Sequence, residues 1–270
     1  MNKIKHYLKR LYKIVNKNEL KILPGQIAFF LVLSLVPFIT LFAYIASQFN
    51  IDINFIVESL NGSLPDQIIG ILKPALMNPG ILTGLSILIG FYISSNGTNS
   101  IIVASNMLFK LEDSSFIKRR IKAIIMLLIL VLLLFFMITG IAFGNELLTF
   151  IFKVFFKSNI PLVVYQIYLL LKWTFGIFLI FLMIKMIYTI APDSPIPSKN
   201  MNKGVIFTTV MWIVATGVYS YYVVNYAHYN LFYGSLANIV VLMFWIYILS
   251  YTFVLGIAIN SDDYLKDTKK

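Results

Sequence analysis

The chain has 270 residues, of which 59% are hydrophobic and only 12% are charged, and it contains no cysteine. Soluble domains carry roughly 25% charged residues, so this chain lacks the charge needed to cover a soluble globule, and disulfides, thiol catalysis and cysteine-based metal sites are excluded. The net charge of +11 comes from basic residues at the ends of apolar runs. That distribution is typical of an oriented membrane protein and not of a nucleic-acid-binding one.

The first 24 residues form an amphipathic segment. Apolar residues such as Ile4, Leu8 and Leu11 recur at helical spacing, and basic residues fill most of the other positions. The pattern predicts a cytoplasmic helix that lies on an anionic inner leaflet. A specific site for a lipid or a partner is the alternative.

Six apolar runs follow, and each can cross ~30 Å of hydrocarbon, which takes ~20 helical residues. The runs do not alternate as barrel strands would, and backbone groups in lipid are satisfied within a helix. We therefore predict an all-α polytopic bundle over 25–260, followed by a cytoplasmic tail over 261–270. The predicted spans are about 25–49, 81–108, 121–145, 162–190, 203–225 and 234–259.

The basic residues predict the orientation of the bundle. Eighteen of the 22 Lys and Arg residues fall before the first span, in the stretches 109–122 and 185–203 around the loops after the second and fourth spans, or in the tail. Only Lys73, Lys153, Lys157 and Lys172 fall on the other side. By the positive-inside rule, both termini are cytoplasmic.

The stretch 50–80 is too long for a simple turn between the first two spans. Apolar spacing predicts a short amphipathic helix containing Ile53 and Leu60, and a second one that begins near Pro65. These external helices either lie in the membrane interface or dip in as a lid, and the sequence does not choose between the two.

The second span contains seven consecutive polar or glycine residues, 94–100, which we call the polar turn. Polar groups that face lipid are costly, so the polar turn must face protein or water. Gly97 suggests a local break, and broken helices line substrate sites in many transporters. Ser95, Asn99 and Asn106 share one helical face. Hydrogen bonding and small-residue packing between helices are the alternative explanation for these residues, and for Asn96.

The first span carries Ser34 and Pro37 near its middle. Proline within a helix frees a carbonyl and kinks the helix, so both residues join the candidate substrate path. No carboxylate falls at a predicted midplane, which argues against a proton-coupled carrier.

Six tyrosines bracket the predicted outer turn between the last two spans. An interfacial aromatic belt is the simpler interpretation, and an aromatic site for a quaternary ammonium solute is the alternative. The tyrosines are Tyr219, Tyr221, Tyr222, Tyr226, Tyr229 and Tyr233.

Motifs of enzymes are missing from the sequence. The two histidines, His6 and His228, are predicted on opposite faces of the membrane, and no H-E-x-x-H, Walker or G-x-G-x-x-G pattern occurs. Hydrolysis of a phosphodiester usually needs grouped carboxylates or histidines around metal ions. We expect no catalytic residue, metal, cofactor or nucleic-acid partner.

The order of short motifs resembles the YihY/BrkB family of bacterial inner-membrane proteins, once catalogued as ribonuclease BN. The similarity runs from about residue 24 to 260. Its marks are Ser34–Pro37, Ala104–Asn106, Lys118–Arg120, Ala191–Pro192, Tyr233–Ala237, Trp245–Tyr247 and Leu255–Asn260.

The resemblance implies a six-helix inner-membrane protein, and its motifs add Tyr233, Trp245 and Asn260 to the candidate path. Members of the family have been linked to serum resistance, lipid or lipopolysaccharide export, and efflux of compatible solutes. Many relatives have an acidic residue where this chain has Ala258, so no carboxylate role is transferred to that position.

Three functions follow as hypotheses. The first is a transporter or exporter of a small solute or lipid-like molecule through the polar turn. The second is a non-transporting envelope scaffold, contacted through the basic N-terminal helix and the tail. The third, a membrane enzyme such as a nuclease, is disfavoured by the residues above. Membrane lipids are expected partners, and self-association stays open.

Overall fold

The computed structural model describes residue 10 and residues 12–48, 84–156, 161–226 and 237–268. Within these residues the chain is helical, without strands, as predicted. We number the long helices in chain order. They are α1 Asn18–Gln48, α2 Gly84–Phe109, α3 Phe116–Ile151 with a π-helical end Phe152–Phe156, α4 Leu162–Ile190, α5 Asn202–Tyr226 after a 3₁₀ turn Ser198–Met201, and α6 Ala237–Asp267.

The described part of each predicted span falls on one long helix, and the helical chain without strands among these residues confirms the all-α membrane-bundle class. Within the described residues, three helical segments are long and apolar enough to cross a membrane: Leu162–Ile190, Ser198–Tyr222 and Val240–Asp267. The number of spans and the sides of the termini stay predictions. The predicted external helices over 50–80 lie outside the described residues.

The loop after α2 is closed by local backbone geometry. Lys110 has a positive φ of 57°. The N–H of Leu111 bonds the carbonyl of Asn106 at 2.9 Å, and the N–H of Lys110 bonds that of Met107 at 3.3 Å. This Schellman-type arrangement satisfies carbonyls that the helix end would leave unpaired. It turns the chain toward α3.

The N-terminal segment contacts the body of the protein. It ends in a turn at Asn16 and Lys17, so α1 begins at Asn18, before the predicted start of the first span. Ile14 is buried in the same apolar cluster as Leu20 and Leu23 of α1. One apolar position of the amphipathic segment is therefore covered by protein.

The main core lies where α2 ends and α3 begins. It joins residues of all six helices, among them Leu108 of α2, Met126 of α3, Ile187 of α4, Val205 of α5 and Val254 of α6. A smaller cluster, formed by Ala28, Tyr219, Val241, Leu242 and Ile246, lies between α1, α5 and α6. The helices are thus fixed to one another mainly at the end predicted to face the cytoplasm.

The first half of α4 lies apart from this core. Leu162, Leu170, Leu171 and Trp173 are each at least 60% exposed. Apolar side chains exposed on all sides of a helix suit contact with lipid tails.

Helix α6 continues to Asp267, beyond the predicted end of its span at 259. Ser261 is buried, and its hydroxyl donates to the carbonyl of Leu108 at the end of α2. Arg10 pairs with Asp262 at 2.7 Å and Asp263 at 2.5 Å. The first part of the predicted tail is therefore an ordered extension that connects the N-terminal segment to the bundle.

Candidate functional site

The predicted break in the second span is wrong. Helix α2 continues through the polar turn without interruption. Gly97 instead allows a close approach: a Cβ built on it would lie 3.1 Å from Leu31 Cδ2 and 3.4 Å from Ser34 Oγ of α1. The glycine serves helix packing, for which small residues are typical in membranes.

The hydroxyls of the polar turn mostly bond within the protein. Ser95 donates to the Tyr92 carbonyl at 2.7 Å and Ser100 to that of Asn96 at 3.0 Å. Thr98 also reaches α3, where its hydroxyl donates to the Ala123 carbonyl at 2.7 Å. Ser34 bonds the Leu31 carbonyl within α1 at 2.9 Å. These bonds satisfy much of the polarity without any solute.

Arg120 of α3 brings a charge to the polar turn. Its Nη1 donates to Ser95 Oγ at 2.8 Å and to Asn96 Oδ1 at 2.9 Å. The guanidinium lies 4.3 Å from the ring centre of Tyr92 and 5.7 Å from that of Phe116. From the sequence, Arg120 is predicted to have only a topological role, as one of the basic residues that orient the bundle. Its contact with the polar turn was not predicted, although a long side chain near the end of one span can reach polar residues of the neighbouring helix.

A second polar group, which we call the loop network, joins the two predicted cytoplasmic loops. Asn106 Nδ2 donates to Asp193 Oδ2 at 2.7 Å and to Asp113 Oδ1 at 2.8 Å. Lys122 Nζ lies 2.8 Å from Asp193 Oδ1, and it also bonds the carbonyls of Ala191 and Pro192 at the end of α4. The buried Asn106 is thereby fully engaged by loop residues.

The loop network sets the charge of Asp193, which lies outside the predicted spans. Burial alone would raise the pKa of this carboxyl. Hydrogen bonds from Lys122, the backbone N–H of Ser114 and Asn106 outweigh that effect and hold the pKa of Asp193 well below its usual value. The carboxylate is therefore charged at neutral pH and holds the loops together.

Asn260 lies in a third polar contact, where α4, α5 and α6 meet. Its Oδ1 accepts the N–H of Gly204 at 2.7 Å, inside the helix interface. Nearby, the hydroxyl of Tyr188 lies 2.7 Å from Thr208 Oγ1 and donates to the Phe253 carbonyl at 2.6 Å. Asn260 itself is completely buried. Its Oδ1 thus takes part in helix packing, whereas its Nδ2 is buried without a partner among the described residues.

Six buried side-chain atoms on α2, α5 and α6 have no hydrogen-bond partner within the described part of the chain. They are Ser94 Oγ, Asn202 Oδ1, Tyr219 Oη, Trp245 Nε1, Ser250 Oγ and Asn260 Nδ2. The rings of Tyr219 and Trp245 are stacked with their centres 5.5 Å apart. Two predicted path residues, Trp245 and Asn260, thus carry polar atoms that the described part of the bundle leaves unpaired.

A family model described as virulence factor BrkB matches residues 11–268. The chain belongs to the BrkB family. This membership confirms the resemblance read from the motifs. No solved structure matches this BrkB-family chain.

Relatives of this BrkB-family chain carry two kinds of name. A ribonuclease-like protein, YfkH, of Bacillus subtilis is 26% identical over 261 residues, which is 94% of each chain. A UPF0761 membrane protein of Alcanivorax borkumensis is 30% identical over 74 residues, 27% of this chain and 17% of that one. Another, of Aggregatibacter aphrophilus, is 30% identical over 69 residues, 26% of this chain and 24% of that one.

The remaining predicted path residues of this BrkB-family chain are placed as follows. Asn99 is half-buried on α2, and Pro37 lies within α1, where its side chain falls outside the described part. Tyr233 also lies outside the described residues. Among the residues that the structure describes, no group of three His, Cys, Asp or Glu side chains could hold a metal ion.

Proposed function

We propose that this BrkB-family protein is a multi-pass protein of the bacterial cytoplasmic membrane that moves a small solute or lipid-like molecule across it. The transported molecule would pass between α2, α5 and α6. The observation that supports this path is four of the six unpaired atoms, those on Ser94, Tyr219, Trp245 and Ser250.

These four atoms lower the stability of the folded protein in this state. A buried polar group without a partner costs about 1–3 kcal/mol, and in the hydrocarbon region bulk water offers no compensation. A bundle that keeps four such groups gains if they meet water or a polar substrate in another conformational state. Aromatic and serine groups together suit a molecule with both apolar and polar parts.

The register of the helices supports a common depth for two of the four atoms. The bond from Ser261 to the Leu108 carbonyl aligns α6 with α2. Ser250 precedes Ser261 by 11 residues and Ser94 precedes Leu108 by 14, which is about 17 Å and about 21 Å along the helices. Both atoms therefore lie in the central part of their helices, where a crossing molecule must pass.

A flux measurement tests the proposal. The purified full chain is placed in liposomes and assayed with a panel of compatible solutes and a fluorescent lipid. We expect flux with the wild type and a several-fold loss in the double variant Ser94→Ala, Ser250→Ala. Ser100→Ala is the matched control, because its hydroxyl is already bonded within α2, and it should keep wild-type flux.

A non-transporting scaffold is the second candidate. The close contact of Gly97 with Leu31 and Ser34 favours it, because it makes the α1–α2 interface tight. Folded wild-type protein that moves nothing across the whole panel would support the scaffold and contradict transport. Flux that is equal in the wild type and the double variant would contradict the path between α2, α5 and α6.

A further inference from the structure

Arg120 holds an unusual position for a charged side chain. The bond from Thr98 to the Ala123 carbonyl fixes the register of the antiparallel helices α2 and α3. Arg120 precedes Ala123 by three residues, yet it bonds Ser95, three residues before Thr98. Its side chain therefore extends about 9 Å along the pair, toward the C-terminal end of α3.

This direction places the charge deep in the helix pair. Side chains in helices lean toward the helix N-terminus, and a long basic side chain near a span's end normally bends back to the interface. Arg120 does neither. Ser95 and Asn96 are at the middle of the 26-residue helix α2, so the guanidinium lies beside the middle of that helix. A charge held between two mainly apolar helices is costly and marks a candidate functional site.

The charge of Arg120 is not neutralised within the described part of the chain. The ion pairs there involve other basic residues, including the adjacent Arg119, which pairs with Asp113 at 2.8 Å. Both bonds of Nη1 go to neutral groups. Nη2 has only a 3.4 Å contact with the Tyr92 hydroxyl, and Nε is buried without a partner. One edge of the guanidinium is left without a strong acceptor.

The surroundings decide which kind of anion can reach Arg120. Tyr92, Phe116 and Ile121 are 51%, 62% and 54% exposed, and Ile93 is also exposed, so the α2–α3 seam has an apolar outer surface. Molecules that reach such a surface in a membrane carry acyl chains. Because Nε is buried and Nη1 already has two acceptors, Nη2 is the nitrogen that can donate a charge-assisted hydrogen bond to a phosphate oxygen.

We propose that Arg120, held in place by Ser95 and Asn96 and flanked by Tyr92, binds the phosphate group of an anionic phospholipid at the seam between α2 and α3. The acyl chains lie on the exposed apolar side chains of the two helices. The site is separate from the unpaired atoms between α2, α5 and α6. The proposal concerns lipid binding alone, so a measurement of transport neither supports nor contradicts it.

Native mass spectrometry of the delipidated full chain in detergent tests this site. Phosphatidylglycerol and phosphatidylcholine with identical acyl chains are titrated separately. We expect the wild type to prefer phosphatidylglycerol. Arg120→Gln should weaken that binding by about tenfold or more, the effect of losing a charge-assisted hydrogen bond. Arg119→Gln, the matched control with the same charge change, should keep it within about twofold.

Two further measurements keep the test decisive if Arg120→Gln folds poorly. Arg120→Lys keeps the charge but loses the planar fork, and it should bind phosphatidylglycerol with intermediate affinity. The preference of the wild-type protein for phosphatidylglycerol over phosphatidylcholine is measured without any variant. Equal binding of both lipids by the wild type, or equal losses in the Arg119 and Arg120 variants, would overturn the proposal. Inorganic phosphate that binds in place of the lipid would also overturn it, by showing a site for a free anion.

Discussion

Two hydrogen bonds join the side-chain amide of Asn106 to Asp193. Asn106 Nδ2 lies 2.7 Å from Asp193 Oδ2, and Asn106 Oδ1 accepts the backbone N–H of Asp193 at 2.9 Å. The pair joins the end of α2 to the segment after α4, across 87 residues of sequence. Because both partners are shielded from water, the pair ties the two predicted cytoplasmic loops into one unit.

Replacing Asn106 should therefore reduce stability. Asn106→Leu removes both bonds to Asp193 and the bond to Asp113 and leaves the backbone N–H of Asp193 without its partner, and we expect a loss of about 2 kcal/mol or more. Asn99→Leu is the matched control, because Asn99 lies on the same helix without a side-chain hydrogen bond among the described residues. Unfolding in detergent measures both variants. Equal stability of the two variants would contradict this role of Asn106.

The loop network should also depend on pH in a defined direction. The fold lowers the pKa of Asp193, so its stabilising effect is complete above the pKa of the unfolded chain and is lost as the pH falls toward the folded value. Asp193→Asn should cost about 3 kcal/mol at neutral pH, because Lys122 loses its buried partner.

The difference in stability between wild type and Asp193→Asn should be constant above about pH 5. It should shrink as the pH falls below about 4, the ordinary pKa of an aspartate. Unfolding of both proteins across this range gives the measurement. A difference that grows on acidification would show that the carboxylate is not held in its charged form.

Replacing a glycine by alanine should lower stability at a helix crossing and should not lower it at an open position. A Cβ on Gly256 would collide with Thr208 Oγ1 and Tyr188 Oη, whereas one on Gly217 would meet nothing within 4 Å. Gly256→Ala should destabilise the protein by about 1–3 kcal/mol through overpacking. Gly217→Ala should be neutral or stabilise it by about 0.5–1 kcal/mol, because alanine favours a helix. Thermal unfolding distinguishes them, and a stable Gly256→Ala variant would contradict the close crossing.

Two buried tyrosines offer a matched pair of Tyr→Phe substitutions. The hydroxyl of Tyr188 has two partners, Thr208 and the Phe253 carbonyl, so Tyr188→Phe should cost about 1–2 kcal/mol. The hydroxyl of Tyr219 has none among the described residues. Tyr219→Phe should keep or raise stability and lower any measured flux. A stability loss in Tyr219→Phe as large as in Tyr188→Phe would show that its hydroxyl is bonded in the native state.

Composition and the length of the apolar runs were sufficient to predict the helices. A backbone in lipid must satisfy its own hydrogen bonds, so each run of about 20 apolar residues predicts a helix independently of its neighbours. The motifs from Ser34 to Asn260 also predicted the BrkB family. The polar turn was found because seven polar residues within an apolar run are visible in the sequence alone.

The partners of those polar residues were decided by the tertiary structure. Whether Gly97 breaks a helix or lets two helices touch depends on Leu31 and Ser34, which lie more than 60 residues away. Arg120 reaches the polar turn, and Asn106 meets Asp193, only because the register between helices brings them together. Register is a property of packed pairs of helices, and the periodicity of a single helix carries no information about it.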